Sequence, residues 1–247
     1  MAFKDGDVVR INYTIRRNAE VFDTTLEQIA VKEGIFDERR KYKPVVAIIG
    51  QGNFFKKVDE ELKGMNAGEK KVVKLEPKDA FGERRSELVS VVALKEFKRR
   101  KITPFPGLVI DLNGMQGKVQ SVSGGRVRVD FNHPLAGQSI EFELEVLEKI
   151  EAEEKKAEAL VERYFGDLGG LKVKIEGKKL ILEGPSSKLM NTDAQRAEFA
   201  KAAFICLDVN EVAVAEVFSR EVNEAKRSDS GESKAIEKER SVEKGKK

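Results

Sequence analysis

The run Ile140 to Ile150 alternates Ile, Phe, Leu and Val with glutamate before closing on Leu147 and Ile150. A two-residue period puts one side of an extended strand in a core and the other in water. Companion strands are legible elsewhere. Val8 to Ile15 is rich in β-branched residues and alternates, and Pro44 to Ile49 forms a second apolar run that ends at Gly50-Gln51-Gly52. Glu69 to Leu75 reads as a strand stopped by Pro77. Between them, Phe54, Val58 and Leu62 fall four apart, which predicts a short helix over 54–62 with Gly64 placed to end it. These segments predict an α+β layout, with antiparallel strands around one short helix.

The texture changes between Phe81 and Asp130. Leu88, Val89, Val91, Val92 and Leu94 lead into a basic run, Lys95 to Lys101, read as a solvated face rather than a nucleic-acid patch. Pro104-Phe105-Pro106-Gly107 follows, then short alternating segments separated by Gly114, Gly117 and Gly124-Gly125, which predict small strands joined by tight turns. So small a region cannot bury a large core by itself and must lean on its surroundings or leave apolar surface exposed. From Ala152 to Phe165 the apolar positions recur at three and four, a helix ended by Gly169-Gly170. Leu171–Ile175 and Lys179–Glu183 form a predicted hairpin. Thr192 or Asp193 caps a second helix through Cys206, and Glu211 to Val222 reads as a last strand. This gives an α-β-β-α-β unit small enough that docking or dimerisation would help it. Beyond Ala225 the chain is almost wholly Lys, Glu, Arg, Ser and Gly, and is expected to be a disordered tail.

The 46 basic and 43 acidic side chains are interspersed and leave a net charge of +3, which gives no argument for nucleic acid. Charged residues make up 36% of the chain, a content that suits ion-pair networks of heat-adapted proteins and also abundantly charged mesophilic ones. The single cysteine, Cys206, excludes an intrachain disulfide and sits in an apolar run as a buried hydrophobe. The first residues reach charge at once, and no stretch approaches the ~20 apolar residues of a membrane span. A cytoplasmic protein is the expectation.

Four segments in order carry a family resemblance. They are Tyr13 with Val21-Phe22-Asp23-Thr24-Thr25, then Gly64-Met65-Asn66-Ala67-Gly68-Glu69, then Glu76-Pro77-Lys78-Asp79-Ala80-Phe81-Gly82, and last Val129-Asp130-Phe131-Asn132-His133-Pro134-Leu135-Ala136-Gly137. Together they resemble the FKBP-type peptidyl-prolyl cis-trans isomerases. The Asn-His-Pro-Leu-Ala-Gly piece points to the SlyD-like branch, which carries an insert-in-flap chaperone domain, and the length points to a long archaeal type. The resemblance covers about the first 150 residues and implies an FKBP-type antiparallel β half-barrel in 1–85 plus 129–150 and a small β domain inserted at 86–128. A C-terminal α/β domain at 151–225 and a tail at 226–247 complete the expected layout.

The resemblance places the catalytic pocket on Tyr13, Phe22, Asp23, Phe54, Phe55, Phe81 and Phe142, with Val45, Val58, Ala80, His133 and Leu135 binding substrate. Phe81 stands where the family commonly has tyrosine, and Val58 where macrolide-binding members have tryptophan, which weakens macrolide binding more than isomerisation. Residue by residue, other readings stand beside these. Tyr13, Val45, Val58 and Phe142 lie on patterns that predict core, Asp23 could be a turn residue with Thr24 and Thr25, and His133 suits a structural hydrogen bond. The run around His133 would return the chain from the insert as a flap over the site, and Glu27 to Tyr42 would form a loop or short helix beside the pocket. The implied activity is X-Pro isomerisation in unfolded or partly folded polypeptides, without cofactor, metal, nucleic acid or membrane. A homodimer through the C-terminal domain and a chaperone role accompany it. The tail has neither histidine nor cysteine, so no nickel role is expected. The alternative is a holdase chaperone with little or no isomerase activity.

Overall fold

The computed structural model describes residues 2–112, 114–166, 169–189 and 192–218; the expected tail at 226–247 and the end of the expected last strand lie outside them. The alternating run is strand β9, Ile140–Ile150, and it lies between β1 (Val8–Arg17) and β4 (Lys70–Leu75). Strands β2 (Glu20–Thr24) and β3 (Val45–Ile48) pair with the two halves of β1, and every pairing in this first sheet is antiparallel.

The apolar runs that do not alternate have a physical reason. Val9, Ile11, Ala47 and Ile49 enter one core with Val58 and Leu62 of helix α2 (Lys56–Lys63) and with Phe142, Leu144 and Val146. Val8, Val46, Ile48 and Ile150 enter a different core, with Leu160, Leu180, Leu182 and Phe199 from the C-terminal region. A sheet covered on both faces reads as a continuous apolar run rather than an alternating one. The ends of α2 differ from expectation. The Asp59 carboxylate accepts the Asn53 and Phe54 N–H groups, both at 3.1 Å, so Phe54 precedes the helix instead of opening it. Gly64 ends the helix with a right-handed φ of −81°, so its freedom to go left-handed is unused.

In the middle region, β5 (Val89–Ala93), β6 (Val109–Leu112), β7 (Met115–Ser123) and β8 (Arg126–Asp130) form a second antiparallel sheet in the order β5-β8-β7-β6. Gly124 and Gly125, at φ +54° and +73°, make the tight turn between β7 and β8. The basic run is not only a solvated face. Leu94–Arg99 is a helix, α3, and its Phe97 is buried with Ile110, Val119, Val127 and Val129 while Lys95, Lys98 and Arg99 stay exposed. The α1 helix occupies Glu27–Lys32 within the expected loop segment.

The C-terminal region runs α4 (Glu153–Phe165), β10 (Lys172–Glu176), β11 (Lys179–Pro185), a short α5 (Ser186–Leu189), α6 (Asp193–Cys206) and β12 (Glu211–Val217). The hairpin β10–β11 is antiparallel, and β12 returns parallel to β11. Helix α4 ends at Phe165 as expected, but Gly166 rather than Gly169-Gly170 ends it, with a φ of +89° that a side chain would resist. Glu162 of α4 accepts Arg10 at 2.8 Å and Lys43 at 2.5 Å. Burial pushes its carboxyl pKa up, yet these cations hold it below the usual carboxylate value. Among the described residues no helix is long and apolar enough to cross a membrane.

Candidate functional site: an aromatic cluster beneath a return loop

Phe142 is the hub. Its centroid lies 5.3 Å from Tyr13, 5.4 Å from Phe54 and 6.3 Å from Phe55. Tyr13 and Phe54 meet edge to face at 5.9 Å, and Phe55 and Phe81 at 5.0 Å. The last link is the return loop after β8. His133 lies flat on Phe81, 4.1 Å between centroids and 2° between planes, and stands 6.1 Å from Phe22. The rings therefore make one continuous set of contacts, and the pairs Tyr13–Phe54, Phe54–Phe142, Phe55–Phe81 and Phe55–Phe142 take the edge-on arrangement that ring quadrupoles favour.

Strand geometry brings these residues together. Tyr13 and Ile15 on β1 and Phe142 and Leu144 on β9 share one face through the register Tyr13↔Leu144 and Ile15↔Phe142. Phe54 and Phe55 come from the turn into α2, which Asn53 locks by accepting the Ile48 N–H and donating to the Ile48 carbonyl. Phe22 and Asp23 sit on β2. The end of β2 is fastened by buried threonines. Thr14 and Thr24 share a hydrogen bond at 2.9 Å, and Thr25 accepts the Tyr13 N–H at 3.0 Å.

The polar part of the site is a relay of three residues. Tyr13 Oη donates to Asp23 Oδ2 at 2.9 Å, and Arg40 donates to Asp23 Oδ1. Burial, reinforced by the Asp23 charge, raises the Tyr13 pKa to about 12. Arg40 in turn lies 5.2 Å over the Tyr42 ring, which stacks on Phe36 at 5.5 Å. Both Asp23 oxygens are occupied, so this carboxylate orients neighbours rather than waiting as a free base. The segment 27–42 contributes Arg40 to the site, a residue the sequence reading did not single out. Its partner is 17 positions away, and only the fold joins them.

Not every expected residue reaches the surface of the cluster. Val58 and Leu135 are both 0% exposed, and Phe142 is 2% exposed. Val58 and Leu135, which the resemblance implies bind substrate, thus lie behind the exposed wall. Val45, Phe54, Phe55, Ala80 and Phe81 pack half-buried against the same core. The Phe54 N–H is already held by Asp59, so of that pair only the Phe55 amide is left unengaged by this carboxylate. The rings fill the bowl by touching one another, and open volume lies beside it. A groove of about 310 Å³ between α1 and β4 is bounded by Asn12, Tyr13, Thr14, Glu143, Leu144 and Glu145, so it shares Tyr13 with the cluster. A cleft of about 490 Å³ at the return loop joins His133 and Pro134 to Arg17, Arg84, Lys118 and Asp130.

The fold and site define a class: an α+β protein with antiparallel sheets and a continuous cluster of aromatic rings. The particular family follows from kinship. The chain is 32% identical over 143 residues to the short-type peptidyl-prolyl cis-trans isomerase of Methanocaldococcus jannaschii, covering 58% of this chain and 91% of that protein. It is 32% identical over 114 residues to the FKBP-type 16 kDa peptidyl-prolyl cis-trans isomerase of Escherichia coli, covering 44% of this chain and 76% of that one. It is also 32% identical over 125 residues to the FKBP-type isomerase SlyD of Vibrio cholerae, covering 49% and 62%. Residues 90–135 match the family described as "FKBP26, IF domain". The chain belongs to the FKBP-type peptidyl-prolyl cis-trans isomerase family, a family of isomerases.

Proposed function

We propose that this protein catalyses cis–trans isomerisation of X-Pro bonds in folding polypeptides, using the aromatic cluster as its pocket, and that its middle region holds the client as an insert-in-flap chaperone domain. The continuous contact of Tyr13, Phe54, Phe55, Phe81 and Phe142 carries the reading. Rotation about a peptide bond crosses about 18–20 kcal/mol because amide resonance is lost in the twisted state. No covalent bond is made or broken, so the protein lowers the barrier by two means. A dry aromatic surface disfavours the strongly dipolar planar amide relative to the twisted one. A wall shaped to the twisted proline then binds that state more tightly. Asp23 keeps the Tyr13 ring in place between Phe54 and Phe142.

A second observation supports the chaperone part. Val91, Phe105, Val109 and Met115 of the middle region are each more than half exposed. Apolar residues gathered on one small domain mark a surface for other chains. Holding a client there raises its effective concentration at the pocket. On this reading the molecule is the long, three-part type, with an FKBP half-barrel, an insert and a C-terminal domain. The exposed Val217 and Phe218 at the β12 edge of that domain would meet a second copy.

The deciding experiment is catalysed refolding of a proline-limited protein, whose slow phase runs over tens of seconds. Phe142 is too deeply buried to be a clean probe, so Phe81→Ala is the variant of choice. Wild type should accelerate the slow phase and Phe81→Ala should lose at least tenfold in kcat/KM. Suppression of aggregation with no acceleration by either would leave a holdase on an FKBP scaffold.

A further inference from the structure

The middle sheet has two unlike faces. Helix α3 covers one, where Phe97 packs with Val127 and Val129. On the other, the register sets Val91 beside Arg128 and Val109 beside Lys118, and Arg126 shares that face because it alternates with Val127. Val91 and Val109 are 63% and 62% exposed, and the three cations are exposed with them. Among the described residues none of the three has an ion-pair partner. The first sheet is built otherwise. There β9 supplies a glutamate to each neighbouring cation, in the pairs Arg16–Glu143, Lys70–Glu145 and Lys74–Glu141. The acids on the cationic face are already engaged. Asp130 is held by Arg84, Gln120 and Asn132, and Asp111, at the outer corner, accepts the Gly114 N–H at 2.9 Å. At its foot the face runs into the cleft of about 490 Å³, which adds Arg17 and Arg84 and ends at the ring stacked on Phe81. Arg17 pairs there with Glu20, an exposed pair that an incoming carboxylate replaces at little cost.

We propose that this face selects clients by charge: it takes apolar polypeptide segments rich in acidic side chains, with Lys118, Arg126 and Arg128 meeting the carboxylates and Val91 and Val109 the apolar groups. The inference rests on client capture by the middle region and adds the chemistry that the captured segment must have. Charge complementarity raises the rate of encounter and rejects segments of the wrong sign, which is what a surface for many sequences can read without a shaped pocket. Because the face leads down the cleft to the aromatic cluster, prolines flanked by acidic sequence are the ones it delivers. Nucleic acid suits it less well. The residues between the cations are aliphatic, so bases would find no ring on which to stack.

Three matched peptides test this on the full-length protein. Each has a central Ala-Pro and flanks of leucine mixed with glutamate, glutamine or lysine, and fluorescence anisotropy reads its binding. An exposed ion pair changes affinity by up to about fivefold, so three together should favour the glutamate peptide over the glutamine one by about tenfold at 0.1 M salt. At 1 M salt the screening length falls from about 10 Å to about 3 Å, and the preference should shrink below about threefold. Changing Lys118, Arg126 and Arg128 together to glutamine should abolish it. Changing them to glutamate should transfer it to the lysine peptide, a gain that a misfolded domain does not give. Lys95, Lys98 and Arg99 changed to glutamate put the same charge on the exposed side of α3, and that variant should keep at least half of the preference. Equal affinities for the three peptides, a preference that survives in the glutamine variant, or an equal loss in the α3 variant overturns the proposal. So does tighter binding of a single-stranded RNA of similar length, which would assign the face to nucleic acid. Binding of none of the peptides overturns the capture reading as well, and tetrapeptide turnover on the same sample tests the isomerase reading separately.

Discussion

The first sheet closes its apolar surface with rings packed on rings around Phe142, with Val58 buried in the same core. The middle sheet has a smaller core, built on Phe97, Ile110, Val119, Val127 and Val129, and leaves Val91, Phe105, Val109 and Met115 facing water. Both regions are antiparallel, and each packs a short helix, α2 in the first and α3 in the second, against its sheet. They differ in how much apolar surface each can hide. A region of this size has too little interior for its apolar residues, so part of its hydrophobic content must stay outside. The contrast separates two tasks. On the proposed function, the aromatic wall recognises one twisted bond, and the small domain captures many sequences on its exposed apolar residues.

The comparison breaks most sharply at its two hubs. Phe142→Ala removes the residue that three other site residues, Tyr13, Phe54 and Phe55, touch with their rings, and core Phe→Ala changes cost about 3–5 kcal/mol. Urea unfolding should show the whole first sheet weakened, and both peptide and protein substrates should lose turnover. Phe97→Ala removes a similar volume from a core that contains no residue of the aromatic cluster. It should unfold the middle sheet while the tetrapeptide rate stays within about threefold of wild type, an allowance equal to about 0.6 kcal/mol. Equal loss of peptide turnover in both variants would mean that the two regions are one cooperative unit.

A gentler change sharpens the functional side of the contrast. Replacing Val91, Phe105, Val109 and Met115 together by serine touches only exposed positions, where substitutions usually stay within ±0.5 kcal/mol each. Thermal unfolding should move little. Catalysis on a refolding protein should fall about tenfold or more, the loss of effective concentration expected when one of two linked sites is removed, with peptide catalysis retained. Preserved protein catalysis would assign client capture to another surface.

The same two regions show what a sequence discloses. Strand β9 was legible because Ile140 to Val146 keep a two-residue period, which breaks only at Leu147, where the register with β1 shifts. The unbroken apolar runs Val8-Val9 and Val45–Ile49 announced strands but not their reason, which is a second core contributed by the C-terminal region on the far face. Helix α3 was hidden because six residues are too few to establish a helical period, and its buried Phe97 stands among lysines and arginines. At the site, the rings could be gathered only by resemblance, since the strands and turns that carry them are scattered along the chain. Arg40 and the stack of His133 on Phe81 depend on side-chain approach, which no local pattern encodes. Val58 and Leu135 were expected at the ligand surface because wall and core occupy the same strand and helix faces. Only exposure separates them.

The smallest expected effect tests how the polar relay is built. Burial is the larger cause of the raised Tyr13 pKa, and the Asp23 charge adds to it. In Asp23→Asn the phenol should therefore titrate below the wild-type value of about 12 yet remain above the usual 10. Difference absorbance near the tyrosinate band, followed against pH and compared with Tyr13→Phe to isolate this residue, reads the shift. The sign for stability follows directly. The folded state keeps the phenol protonated where the unfolded chain has released it, so the contribution is complete below pH 10 and declines as pH rises toward 12. Asp23→Asn should flatten that decline. A phenol returning fully to its ordinary value in Asp23→Asn would mean that charge, not burial, governs Tyr13, and that the aromatic cluster is wetter than its packed rings imply.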